Sequence, residues 1–175
     1  CNFDWSAIAT SIFGSLFQGV MNEDARRHLG AHYTSEQNIL KLIKPLFLDD
    51  LYIELDDVKY DQKRLDAFHT KLGQLKFLDP ACGCGNFLVI AYRELRALEM
   101  SILEIKSKNG VEIPEDPIRI KIDQFYGIEI EEFPARVAEV AMHLIDHQMN
   151  VELDKVLGRY IHRLPIKISA TIKCA

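Results

Sequence analysis

The fold of this 175-residue chain is decided by one stretch, Phe77-Leu78-Asp79-Pro80-Ala81-Cys82-Gly83-Cys84-Gly85-Asn86-Phe87-Leu88. A short apolar run ends in the acid Asp79, a turn of small residues follows, and a long helical pattern begins at Asn86. Glycine at Gly83 and Gly85 permits backbone angles that are closed to other residues and lets a ligand approach the main chain. Ligands of open α/β sheets bind beyond the carboxyl ends of the strands, where this loop would lie. The stretch therefore predicts a ligand-binding loop between a strand and a helix.

Two other interpretations of the loop fit less well. A dinucleotide-binding loop has the spacing G-x-G-x-x-G, and Leu88 stands where the third glycine would be. An ordinary tight turn between strand and helix is the alternative without function, and the pair Asp79-Pro80 counts against it.

Two further stretches carry candidate binding residues. Phe125-Tyr126-Gly127-Ile128-Glu129-Ile130 places a second acid at the end of the next predicted strand. A carboxylate there accepts hydrogen bonds from ribose hydroxyls, although a solvated glutamate is the alternative. The stretch LGAHYTS (residues 29–35) precedes a helix, whose free amide groups and positive dipole end suit a carboxylate. A simple helix cap by Thr34 or Ser35 is the alternative there.

Apolar periodicity and turn residues predict the order of elements. Helices are expected at residues 4–20, 34–48, 61–72, 86–108 and 134–149, and strands at 75–78, 124–130 and 169–174. Asp49-Asp50 is expected to end the second helix or to begin the next turn, and residues 22–32 and 111–121 are expected to be connectors. Residues 1–74 then form an N-terminal helical segment, and residues 75–175 form the first part of a doubly wound α/β domain.

Composition narrows the class of protein. The chain is 48% hydrophobic and 27% charged, as in ordinary globular proteins. No apolar run of about 18 residues is present, so no membrane span is expected. The formal net charge of −5 indicates that this chain is not the DNA-binding region, because a basic surface is needed to neutralise the DNA phosphates. A start at Cys1, without a signal pattern, indicates an excised fragment.

Metal sites and disulfides are not expected. Cys82 and Cys84 are one residue apart, a poor geometry for a mutual bridge, and no second cysteine or histidine cluster accompanies them. His143 and His147 lie four apart on a predicted helix, but no third ligand is evident. A reduced, cytoplasmic chain is the expectation.

The three stretches, in this order, resemble the amino-methylating DNA methyltransferases of restriction–modification systems. The resemblance is strongest to the adenine-N6 enzymes of type I and of the fused type IIG kind. In that family the patterns G-x-[HYF]-[YF]-T-[SP], D-P-A-C-G-[ST]-G-x-[FL] and G-[IY]-[ED] form the methyl-donor site. The likeness covers roughly residues 13–175, and it departs from the common pattern at Cys84, where Ser or Thr is usual; a thiol of similar size should be tolerated.

The resemblance implies a partial Rossmann-like sheet that binds S-adenosylmethionine. It implies a donor site formed by His32, Tyr33, Thr34, Asp79, Ala81, Cys82, Gly83, Gly85, Phe87, Glu129 and Ile130. Residues 32–34 would contact the carboxylate of the methionine moiety, and Asp79 would lie near its ammonium group. The main chain of residues 81–83 would line the methionine and ribose, with Phe87 shaping the pocket from the helix side. Glu129 would hold the ribose hydroxyls, and Ile130 would pack on the adenine.

The resemblance also implies what this chain does not contain. The family orients the target amino group with an Asn/Asp-Pro-Pro-Tyr/Phe loop after the fourth strand, and no Pro-Pro dipeptide occurs here. We therefore expect no catalytic residue in this chain, no methyl transfer by it alone, and DNA contacts through other regions. An exposed sheet edge would favour self-association. Two alternatives stay open: a methyltransferase acting on RNA, protein or a small molecule, and a degenerate subunit without catalysis.

Overall fold

The computed structural model describes residues 34–158, residue 160 and residues 168–175. The predicted helix at residues 4–20 and the predicted connector at 22–32 lie outside this part. The described elements are α1 (Glu36–Ile43), a π-helical segment (Lys44–Leu48), α2 (Asp49–Val58), α3 (Gln62–Leu72), β1 (Phe77–Asp79), α4 (Asn86–Lys108), a 3₁₀ turn (Ile122–Gln124), β2 (Phe125–Glu129), α5 (Glu132–Leu157) and β3 (Thr171–Cys174). This order confirms the predicted α/β class with a preceding helical segment.

Asp49-Asp50 neither ends the helical run nor begins a turn, contrary to the prediction from the sequence; Asp49 is the first residue of α2. Pro45 has no amide hydrogen, and the helix widens there into a π-helical turn in which the Asp49 N–H donates to the Lys44 carbonyl. The chain then continues as α2, which buries Leu51, Leu55 and Val58 on one face. The core must cover this apolar stripe, and the chain therefore continues as a second helix after the widened turn rather than as a loop.

Three parallel strands form a sheet in the order β1-β2-β3. Phe77 pairs with Phe125 and Asp79 with Gly127, so the strands end at one edge of the sheet. Both crossover helices, α4 and α5, pack on the same face, because successive strands are added in one direction and right-handed crossovers then share a side. The Phe77 and Phe125 rings stack at 5.0 Å between centroids, and Tyr92 of α4 meets Phe125 edge-on at 5.3 Å.

Element boundaries otherwise follow the sequence closely. Asp61 caps α3 by accepting a hydrogen bond from the Arg64 N–H at 3.0 Å, and Gly73 ends that helix. The helix after β2 is longer than predicted: α5 continues to Leu157 and buries Leu153 completely. No helix in the described ranges is long and apolar enough to cross a membrane.

A set of buried polar groups crosses the core between α4 and α5. The Arg96 side chain is fully buried; it donates to Tyr92 Oη at 2.7 Å and to Asn150 Oδ1 at 3.0 Å. Its Nε lies 3.2 Å from Glu99 Oε2 in an ion pair. Sequence analysis did not single out these residues.

The same set ties the helical segment to the connector before β2. Glu99 Oε1 accepts hydrogen bonds from the Ile120 N–H at 3.1 Å and from His69 Nε2 of α3 at 2.9 Å. Lys106 lies 3.2 Å from His69 Nδ1, so the ring accepts from the ammonium there and donates to the carboxylate. Because all of these groups are paired, helices α3 and α4 and the connector are held in a fixed arrangement behind the sheet.

Candidate functional site

The loop after β1 uses its own amide hydrogens to hold its shape. The Ala81 N–H donates to Asp79 Oδ1 at 3.0 Å, and the Cys82 N–H donates to the Ile128 carbonyl at 2.9 Å. The Gly83 N–H donates to Glu129 Oε2 at 2.8 Å, and the Gly85 N–H to the Cys82 carbonyl at 2.8 Å. These four donors are therefore committed to acceptors within the protein.

Asp79 and Glu129 stand at the ends of two neighbouring strands. Glu129 lies two residues beyond Gly127, the partner of Asp79 across the sheet, and its side chain reaches back over the loop. Its second oxygen, Oε1, accepts the Glu131 N–H at 2.9 Å. Each carboxylate oxygen has two lone pairs, so Glu129 keeps acceptor capacity for a ligand.

The edge of the sheet where Asp79 and Glu129 lie is negatively charged, and the Asp79 carboxyl is partly buried. Burial raises the pKa of the Asp79 carboxyl above its usual value; the hydrogen bond from Ala81 opposes this, and the charge of Glu129 adds to it. Two carboxylates beside a loop in which four amide donors are already used favour a cation and hydroxyl donors. A phosphate-binding loop needs several free N–H groups that converge on the ligand, and these four are committed to the protein.

Glycines at two positions permit the close packing of the loop. Gly85 has φ +81° and begins α4; a Cβ there would lie 3.0 Å from the Cβ of Ala138 in α5. Gly127 lies under the loop, where a Cβ would be 2.6 Å from Cys82 Sγ and 2.8 Å from Ile172 Cδ1. The Cys82 side chain therefore rests directly on the glycine of β2.

Both loop cysteines are buried, unreactive thiols. Burial raises the pKa of Cys82 to about 12, and the charges of Asp79 and Glu129 add to that shift. Burial likewise raises the pKa of Cys84 to about 11, with Glu129 contributing. Cys84 thus contributes a small, neutral side chain at the position where the methyltransferases that this chain resembles usually have Ser or Thr.

The structure brings together six of the residues predicted from the sequence: Asp79, Ala81, Cys82, Gly83, Gly85 and Glu129. Ile130 follows directly and is 72% exposed, so its side chain is free of the core. Phe87 is partly buried and packs on a small cluster formed by α1 and α4. Its side chain therefore faces the helical segment, and its predicted part in shaping the pocket stays a prediction.

The start of α1 is held against the first turns of α4. Thr34 is half-buried and precedes α1, while His32 and Tyr33 lie outside the described residues. Glu36 pairs with Arg93 of α4 at 2.7 Å, and this bond lowers the pKa of Glu36. The chain after Thr34 is thereby fixed beside the helix that begins at the glycine loop.

Sequence analysis missed the groups that support the loop from β2. These are the glycine at position 127, the Ile128 carbonyl and the Glu131 N–H. Only Gly127 left a signal, because a glycine inside a predicted strand marks a close approach of another part of the chain. His143, considered for a metal, lies 3.2 Å from Ser169 Oγ. Within the described ranges, no group of three or more metal-ligating side chains is placed to hold an ion.

Comparison with known proteins identifies the family. Residues 55–175 match the family model described as MmeI, DNA-methyltransferase domain. This chain belongs to that family.

Two curated proteins are similar in sequence to this member of the MmeI DNA-methyltransferase domain family. The chain is 43% identical over 173 residues to DNA methyltransferase A of Bacillus subtilis (strain 168), covering 98% of this chain and 20% of the relative. A putative type II restriction enzyme and methyltransferase of Methanocaldococcus jannaschii is 23% identical, covering 76% of this chain and 14% of that protein.

The solved structure of the type IIL restriction–modification enzyme MmeI in complex with DNA resembles the whole chain. The TM-score is 0.93 with 56% sequence identity, and the match covers 100% of this chain and 24% of MmeI. The predicted family and fold are therefore confirmed: the chain is part of a DNA-methyltransferase domain of the MmeI family. It spans about a fifth of the length of the Bacillus relative.

Proposed function

We propose that this chain forms the S-adenosylmethionine-binding part of an adenine-N6 DNA methyltransferase of a restriction–modification system. The observation that carries the proposal is the pair of carboxylates, Asp79 and Glu129, at neighbouring strand ends beside a loop in which four amides are already hydrogen-bonded within the protein. Such a site suits a ligand that presents positive charge and hydroxyls.

The chemistry of S-adenosylmethionine fits this set of groups. Its ammonium and sulfonium are cationic, and Asp79 supplies an ionised oxygen for the ammonium. Glu129 retains lone pairs for the two ribose hydroxyls. Ile130, 72% exposed, offers an apolar side chain to the adenine. Thr34, together with His32 and Tyr33, is assigned to the carboxylate end of the methionine moiety.

Binding and orientation are the tasks of this chain. The bound donor supplies an electrophilic methyl group on sulfur, and its positive charge is balanced by the site. The rigid loop fixes where that methyl lies, which is the positional part of catalysis. Nicotinamide and flavin dinucleotides are disfavoured because Leu88 stands where a dinucleotide-binding loop has its third glycine.

DNA is assigned to other regions of the complete protein. The net charge of this chain is −5, opposite to what a phosphate-binding surface requires. No Pro-Pro dipeptide occurs in its 175 residues, so we expect the chain alone to be inactive. We expect the protein in the cytoplasm, and we expect copies of the isolated chain to associate through the outer edge of β1.

Methyl transfer by the complete protein tests the proposal. It is incubated with methyl-labelled S-adenosylmethionine and, in parallel reactions, with duplex DNA, RNA or protein, and the label is located by mass spectrometry of the nucleosides and peptides. Label in N6-methyl-2′-deoxyadenosine, strongly reduced by Asp79→Asn and unchanged by Glu132→Gln, is the expected result. Label in RNA, in protein or on cytosine would contradict the adenine assignment, and no transfer to any of these would contradict methylation.

A further inference from the structure

We propose that Glu129 is a positioning residue for the glycine loop, in addition to the ribose contact assigned to it. The inference rests on the proposed function for the identity of the ligand, but the bonds that carry it are present without one. Glu129 Oε2 accepts the Gly83 N–H at 2.8 Å, and Oε1 accepts the Glu131 N–H at 2.9 Å. One carboxylate thus joins the loop after β1 to the turn after β2.

The two segments joined in this way are far apart in sequence. Gly83 and Glu129 are separated by 46 positions, and the pairing of β1 with β2 ends at Asp79 and Gly127. Gly83 has φ +54°, a backbone conformation that glycine adopts readily, and a Cβ there would meet nothing within 4 Å. Its conformation depends on hydrogen bonds, of which the one to Glu129 is charge-assisted and therefore among the stronger kind.

The two hydrogen bonds leave acceptor capacity on both oxygens of Glu129. Each backbone donor uses one lone pair of one oxygen, which leaves one lone pair on each oxygen for a hydroxyl. A carboxylate fixed in this way is already oriented when the ligand arrives, so binding loses less side-chain freedom. Loss of the carboxylate should therefore weaken binding even of a ligand without ribose hydroxyls.

Amide hydrogen exchange in the complete protein, without ligand, tests the positioning role. In Glu129→Gln one oxygen becomes an NH₂ group that cannot accept, and in Glu129→Asp the shortened side chain cannot reach both donors. We expect the Gly83 amide to exchange about 10-fold faster or more in both variants. Glu132→Gln makes the same charge change three residues away, on a side chain that faces Arg136, and is expected to leave Gly83 unchanged. Unchanged exchange in α4 shows that the variants are folded.

A second experiment, which measures ligand binding, distinguishes a failure of this inference from a failure of the proposed function. Binding of S-adenosylhomocysteine and of its 2′,3′-dideoxy counterpart is measured for the wild type and for Glu129→Gln. A loss of affinity of about 3-fold or more with the dideoxy compound supports the positioning role. Equal affinity of the two proteins for that compound, or wild-type exchange at Gly83 in both variants, would overturn it. If the wild type bound neither compound, the proposed function would fail, while the exchange rates would still decide the role of Glu129.

Discussion

Gly127→Ala should damage the site by pushing the loop away from β2. The added Cβ would lie 2.6 Å from Cys82 Sγ and 2.8 Å from Ile172 Cδ1, closer than carbon atoms pack. The backbone of Gly127 has no positive φ, so an alanine fits the strand and the cost is steric. Overpacking costs about 1–3 kcal/mol, and two such contacts place this site near the upper end. The alanine returns about 0.5–1 kcal/mol through the reduced freedom of the unfolded chain. The net loss is then about 2 kcal/mol, or roughly 30-fold in the folding equilibrium.

The assay is hydrogen exchange of the β2 amides at increasing urea, which reports the unfolding free energy of this part of a larger protein. Two suppressors match the two contacts: Cys82→Ala removes the sulfur, and Ile172→Val removes Cδ1. In the Gly127→Ala background each substitution should recover about 1 kcal/mol of unfolding free energy, whereas in the wild type each should destabilise the protein. Such non-additive effects are typical of residues in contact. Affinity for S-adenosylmethionine should follow the same order. A Gly127→Ala protein within 0.5 kcal/mol of the wild type, or suppressors with the same effect in both backgrounds, would refute the steric explanation.

Three other predictions follow from buried groups. Arg96→Met removes the ion-pair partner of the buried Glu99 carboxylate and should lower the unfolding free energy by about 3–5 kcal/mol, measured by the same exchange method; a loss below 1 kcal/mol would contradict it. Cys82 and Cys84, with pKa values of about 12 and 11, should resist iodoacetamide at pH 8 while the exposed Cys174 reacts, as peptide mass spectrometry would reveal. Faster labelling of either loop thiol than of Cys174 would count against their burial. Since burial raises the pKa of Asp79, its stabilising contribution is present at low pH and lost as pH rises through the raised pKa. Asp79→Asn should therefore not destabilise the protein at pH 7. It should, however, lower the affinity for S-adenosylmethionine about 10-fold or more, measured by calorimetry. In the wild type this affinity should fall as the pH is lowered, and in Asp79→Asn that fall should be abolished.

The sequence predicted those parts of the fold whose signals are local. An acid after an apolar run, a turn of small residues and a helical pattern lie within residues 77–88, and the structure has β1, the loop and α4 there. Asp61 and Gly73 likewise marked the two ends of α3. In each case, residues a few positions apart determine the local backbone, so their order along the chain is enough.

Features that depend on distant partners were not predictable in this way. His69 meets Glu99 from 30 positions away, and Arg96 meets Asn150 from 54. A charged residue in an apolar helix pattern does not reveal which group will neutralise it. The Gly83–Glu129 bond is of the same kind: the sequence assigned both residues to the ligand, but not to each other. The continuation of the helix past Leu48 was missed for a different reason, because acidic residues after an apolar run also begin helices, as Asp49 does for α2.

Calorimetric titration of the complete protein with S-adenosylmethionine tests the central claim most directly, beside Asp79→Ala and Glu129→Ala. Saturable binding at one site, weakened by both substitutions, is the predicted result. Absence of binding by the wild-type protein, or binding that neither substitution alters, would contradict a donor site between these two carboxylates.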